Sequence, residues 1–78
     1  MRPIKRSLTI AGHRTSISLE LAFWEALADV AAVKSVTVAG LVARIDGERA
    51  TAGDREAGGL SGAVRVYILR HFRSPRPT

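Results

Sequence analysis

The chain of 78 residues contains no cysteine, only two histidines and only four aromatic side chains. Without cysteine no disulfide can staple so small a fold and no thiol can act as a nucleophile, and the composition fits the bacterial cytoplasm. The histidines, His13 and His71, stand far apart in the sequence, and no paired carboxylates, phosphate-binding loop or metal-ligand spacing accompanies them. His13 reads as part of a hairpin, and His71 as a cation suited to the C-terminal end of a helix. The chain is therefore expected not to be an enzyme and to need neither cofactor nor metal. No apolar run approaches the roughly 20 residues that span a bilayer, and no signal peptide is visible, so a membrane is not an expected partner.

Acid is missing from both ends. Residues 1–19 hold Arg2, Lys5, Arg6 and Arg14, and residues 60–78 hold Arg65, Arg70, Arg73 and Arg76, with no carboxylate in either stretch. All seven acids lie between, against four bases. Basic ends around an acidic middle, with a net charge of +5, suggest one positive surface and a polyanionic partner. A solvated basic surface with no partner is the plainer alternative.

What is present is a strand running directly into two helices. In residues 13–19, Arg14, Ser16 and Ser18 alternate with Thr15, Ile17 and Leu19, the period of a strand with one wet face. From Leu19 onward the apolar spacing changes to Phe23, Leu27, Val30 and Ala31, which is helical. A lone strand leaves its backbone groups unpaired, and two helices alone have nowhere to bury both apolar faces. A second copy supplies the simplest remedy. At this length a monomer buries only about 60–65% of its unfolded surface, which points the same way.

The join R-T-S-I-S-L-E-L-x-F-W-x-x-L, followed by S-V-T-V-A-G-L-V-A-R-I, resembles the ribbon-helix-helix DNA-binding proteins, the Arc, MetJ and CopG group. The resemblance covers residues 13–46. With KRSLTIAGHRTSISLE near the start and GLSGAVRVYILRHFR near the end, the whole chain is similar to a small bacterial subfamily of that group. It implies a mainly α fold with a short β ribbon, a ribbon-helix-helix homodimer that here adds an N-terminal hairpin strand and a third, C-terminal helix. Two departures stand out. The helix connection Ala32-Val33-Lys34-Ser35 lacks the glycine often found there, and Gly40 replaces a longer residue in the second helix. Close crossing of two copies of that helix would account for Gly40.

The chain reads as one domain over residues 1–78. Residues 1–5 are a loose end, and 6–10 form an extra strand turned back at Ala11-Gly12, a two-residue loop with hairpin character. Pairing across it sets Ile10 opposite His13, Leu8 opposite Thr15 and Arg6 opposite Ile17, which leaves Ser7 and Thr9 outside with Arg14 and Ser16. A flexible arm, or a strand donated to the other subunit, is the alternative. Helix one is expected over 20–33, with Glu20 in its first turn. Helix two spans 37–46, capped by Thr37 and stopped at Asp46-Gly47. Residues 47–59 form a polar loop or a frayed extension, and helix three covers 60–73 with Leu60, Val64, Tyr67, Ile68 and Phe72 on one face. That face is expected to pack on helix one beside Trp24, while Phe23 enters the core. The expected dimer core is Ile17, Leu19, Phe23, Leu27, Val30, Leu41 and Ile45.

By the resemblance, Arg14, Ser16 and Ser18 occupy the outward strand positions that contact bases. Arg can donate twice to guanine, and a hydroxyl can donate and accept. The first turn of helix two, at Thr37, Val38 and Ala39, would hold a DNA phosphate on its free amides, with Lys34 and Ser35 beside it. Arg2, Lys5 and Arg6 would add phosphate contacts. The expected function is sequence-specific binding of duplex DNA as a homodimer, in a small transcriptional regulator. The rival is a dimeric interaction module, antitoxin-like or an adaptor, whose basic surface or third helix holds an acidic protein.

Overall fold

Two seven-residue strands flank Ala11-Gly12, β1 at Ile4–Ile10 and β2 at His13–Leu19. Both turn residues have positive φ, 51° for Ala11 and 82° for Gly12, as a two-residue turn matching the twist of a hairpin demands. The computed structural model describes residues 2–51 and 59–74. Its antiparallel register runs unbroken from Ile4↔Leu19 to Ile10↔His13 and includes the three pairs expected from the turn. The strand begins earlier than expected, since Ile4 and Lys5 belong to it and not to a loose end. Trp24 supplies the reason: its indole N–H donates to the Ile4 carbonyl at 2.9 Å and fastens the strand's first residue. With β1 at its side, β2 is not a lone strand, and the backbone reason for a second copy falls away.

Helix α1 spans Leu21–Val33, and Glu20 is its N-cap, just outside the first turn where it was expected. The Glu20 carbonyl accepts from the Phe23 and Trp24 amides at 2.9 and 3.1 Å, while its side chain leaves for α3. The C-terminus answers the missing glycine. Ser35 N–H donates to the Ala32 carbonyl at 3.1 Å, and Val36 N–H donates to Ala31 at 3.0 Å. These are the paired bonds of a Schellman stop, and Ser35 takes the left-handed conformation, φ 57°, that glycine usually fills.

Helix α2 covers Val38–Thr51, so it runs five residues past the expected stop at Asp46. Asp46 does not end it; it pairs one turn on with Arg49 at 3.1 Å. Of the stretch expected to be a loop, 47–51 is helical and 52–58 lies outside the described residues. Thr37 caps α2 as expected, its Oγ1 accepting from Gly40 N–H at 2.9 Å. That contact also explains Gly40 within one chain, because a Cβ there would lie 3.0 Å from the same hydroxyl oxygen.

Helix α3, Gly59–Arg73, packs against α1, α2 and β2. Ile17, Leu19, Leu27, Val30, Leu41 and Ile45 are buried as expected, yet within a single chain and together with Ile10, Trp24, Ala31, Val42, Val64 and Ile68. Phe23 and Trp24 exchange their expected places. Trp24 is 4% exposed and faces β1, whereas Phe23 is only half-buried beside α3, with the Arg65 guanidinium 5.8 Å from its ring centre. Phe72 also departs from expectation: it is 61% exposed, with the His71 ring edge to face at 5.0 Å. Among the described residues, no single helix is long and apolar enough to cross a membrane.

Candidate nucleic-acid interface

Opposed residues in an antiparallel pair share a face, so the register divides the hairpin cleanly. The pairs Lys5↔Ser18, Ser7↔Ser16 and Thr9↔Arg14 look away from the helices. Lys5, Ser7, Thr9, Arg14 and Ser16 are exposed; Ser18 is half-buried. The face therefore gathers two cations and four hydroxyls, and the described hairpin carries no carboxylate. It can donate and accept hydrogen bonds toward an anionic surface without having to break internal ion pairs.

Arg6 is placed differently. It belongs to the inner set, opposite Ile17, and its guanidinium lies 5.0 Å from the Trp24 ring centre. A cation over an indole face gains about 0.5–1 kcal/mol at an exposed site. Arg6 thus helps to hold β1 on α1 and does not share the outward face with Lys5. Arg2 is exposed ahead of the strand.

Lys34, Ser35 and Thr37 are exposed in the α1–α2 turn, and Val38 and Ala39 are half-buried at the start of α2. The first amides of a helix have no acceptor within it. Thr37 Oγ1 serves Gly40, so the amides of Val38 and Ala39 remain the ones suited to an anion.

Sequence reasoning gave Arg65 no role beyond its charge. Its Nε and Nη2 donate to Glu20 Oε1 at 3.1 and 2.9 Å, and Nη2 also donates to the Ser18 carbonyl at 3.2 Å. Ser61 completes the grip by accepting from Ser18 N–H at 3.2 Å. Hydrogen bonding to its own backbone, and next the Arg65 guanidinium, hold the Glu20 carboxyl below the usual carboxylate range. Since backbone groups alternate sides along an antiparallel strand, Arg14 and Ser16 point theirs to the same outer edge of β2 as Ser18. Helix α3 closes one end of that edge. The partners are 43 to 47 residues apart in sequence, and no local pattern announces them.

A strand running into two helices, with a further strand at its side and a third helix, is consistent with the ribbon-helix-helix class. Residues 3–72 match the ribbon-helix-helix domain family, and the chain belongs to it. Domains of this family generally bind DNA as dimers or act in antitoxin and regulator roles, and they are typically non-enzymatic. Among solved structures, the chain is similar to an uncharacterized protein from Bordetella pertussis Tohama I, with 34% identity and a TM-score of 0.73. The similarity covers 90% of this chain but only 55% of that one. No protein of curated function matches.

Proposed function

We propose that this protein binds duplex DNA sequence-specifically through the outward face of its β ribbon, as a homodimer, and acts as a small transcriptional regulator. One observation carries the proposal: Arg14 and Ser16 are exposed on an acid-free ribbon face in a chain of this family. Arg14 reads a base edge and Ser16 adds hydroxyl contacts, while Ser18, half-buried and held through its backbone, contributes at the margin. The amides of Val38 and Ala39 hold a phosphate, with Lys34, Ser35 and Thr37 beside them, and Arg2 and Lys5 strengthen the non-specific attraction. Gel shifts over fragments of the source genome, including the gene's own promoter, test this. Arg14→Ala should erase preference among fragments; Arg2→Ala and Lys5→Ala should weaken all binding and flatten its salt dependence. Equal affinity of the wild type for every fragment would refute sequence-specific reading.

A second reading has its own observation. On α3, Val66, Leu69 and Phe72 are 46%, 53% and 61% exposed, and Val66 and Leu69 line a shallow depression with Arg70, Arg73 and Ser74. That apolar and basic stripe suits an acidic protein segment, in which case the ribbon serves assembly alone. Absence of DNA binding at low salt, together with capture of acidic amphipathic peptides that Leu69→Ala abolishes, would favour it.

A further inference from the structure

We infer that the exposed stripe of α3 docks the acidic outer face of α1 from a second copy of this chain. The inference rests on the reading of that stripe as a site for an acidic protein segment and names the segment; it holds whether or not the ribbon reads DNA. Two helix faces stand in water with unspent charge. On α1, Leu21, Glu25, Asp29 and Val33 recur at every fourth position and all are exposed. They form one row on the side turned away from the buried Trp24, Leu27 and Val30. On α3, Val66, Leu69, Arg70 and Arg73 line the shallow depression, on the side away from the buried Val64 and Ile68. Glu25, Asp29, Arg70 and Arg73 make no ion pair among the described residues, whereas Glu20 and Asp46 are paired with Arg65 and Arg49.

The two rows complement each other in charge and in spacing. A step of four residues advances about 6 Å along a helix. Set antiparallel, Val66 therefore meets Val33, Arg70 meets Asp29, and Arg73 reaches Glu25. Two unlike charge pairs are then bordered by apolar contact, in which Val66 and Leu69 cover Val33, at 76% exposed the barest large apolar side chain among the described residues. That cover matters, because exposed ion pairs alone bind weakly. One chain cannot close the contact on itself, since each row lies on the far side of its helix from the core the two helices share. Copies of net charge +5 repel one another at a distance, but screening over about 10 Å at 0.1 M salt leaves the facing pairs to decide the encounter. The contact joins unlike faces and every copy carries both, so it can repeat from copy to copy.

The test is sedimentation velocity of the full-length chain at about 0.1 M salt without DNA, over concentrations up to about 1 mM. The wild type is compared with an acid-reversed variant, Glu25→Lys with Asp29→Lys, and a base-reversed variant, Arg70→Glu with Arg73→Glu; circular dichroism confirms that each is folded. The wild type should form species larger than either variant does, and each reversal should weaken that association more than about tenfold. Mixing the two variants should restore it, because the basic α3 of one then meets the acidic α1 of the other. If the three proteins sediment alike and the mixture associates no further than its components, a second copy is not the occupant. Should an acidic amphipathic peptide of unrelated sequence then bind the wild type but not Leu69→Ala, the stripe still docks acidic protein and only its named occupant is wrong. If that peptide does not bind either, both readings of the stripe fall.

Discussion

Trp24→Phe tests whether β1 is an integral strand. Trp24 is 4% exposed, its N–H bonds the Ile4 carbonyl at 2.9 Å, and Arg6 covers its ring at 5.0 Å. Phenylalanine keeps an aromatic face for Arg6 but has no donor. Loss of the hydrogen bond costs about 1 kcal/mol. The smaller ring gives up on the order of 50 Å² of buried apolar surface, about 1 kcal/mol more. The expected loss is therefore about 2 kcal/mol, or about 8–16 °C in melting temperature for a domain of this size. Far-ultraviolet circular dichroism in urea, at fixed protein concentration, measures the first figure, and a thermal scan the second. Amide exchange should also speed up at Arg6 and Leu8, whose N–H groups lie on the β2 side of the ladder. A loss under about 0.5 kcal/mol with unchanged exchange would refute the reasoning, because β1 would then be held by something other than Trp24.

Three further outcomes follow from single contacts. Ser35→Gly should stabilise by about 1 kcal/mol in urea melts, since Ser35 holds φ 57° where glycine carries no Cβ penalty; no gain would mean that the serine makes a compensating contact. Phe72→Ala should change stability by no more than about 0.5 kcal/mol, and Ile68→Ala should cost about 3 kcal/mol, because the first is 61% exposed and the second 4%. Glu20, held below the usual carboxylate range in the native state, adds stability present above its unfolded pKa and lost as pH falls through the lowered native one. Glu20→Gln should therefore flatten the acid limb of a pH–stability curve, and an unchanged limb would remove Glu20 from that account.

The hairpin was legible because two independent signals agreed. The two-residue turn fixes the register, and only that register puts Ile10 and Ile17 inside with Ser7 and Arg14 outside. Adjacent Phe23 and Trp24 offered no such agreement. Their side chains diverge by about 100° around the helix, and which one is covered depends on Ile4 and Arg65, far away in sequence. Helix α3 was ambiguous for a related reason. It carries two apolar stripes, one through Val64 and Ile68 and one through Val66, Leu69 and Phe72, and only its docking decides which is wet. The stop at Asp46-Gly47 failed because helix-breaking residues express a weak preference, and the buried Ile45 with the Asp46–Arg49 pair outweighs it. The outward positions of Arg14 and Ser16 were readable from alternation alone; the grip of Ser61 and Arg65 on Ser18 was not, since it depends on how a third helix packs.

A strand and two helices by themselves would leave Ile17, Leu19, Leu27 and Leu41 facing water, which is why a second copy looked necessary. In this chain β1 covers one flank with Ile10 and its anchor Trp24, and α3 covers the other with Val64 and Ile68, until all four are at most 1% exposed. Each fully buried aliphatic side chain contributes about 1.5–3 kcal/mol relative to exposure, so the additions at both ends of the sequence supply apolar cover that a partner subunit would otherwise provide. Folding and association then become separate equilibria. When the core is shared between subunits, dilution unfolds the chain; when the core closes within the chain, dilution only separates copies.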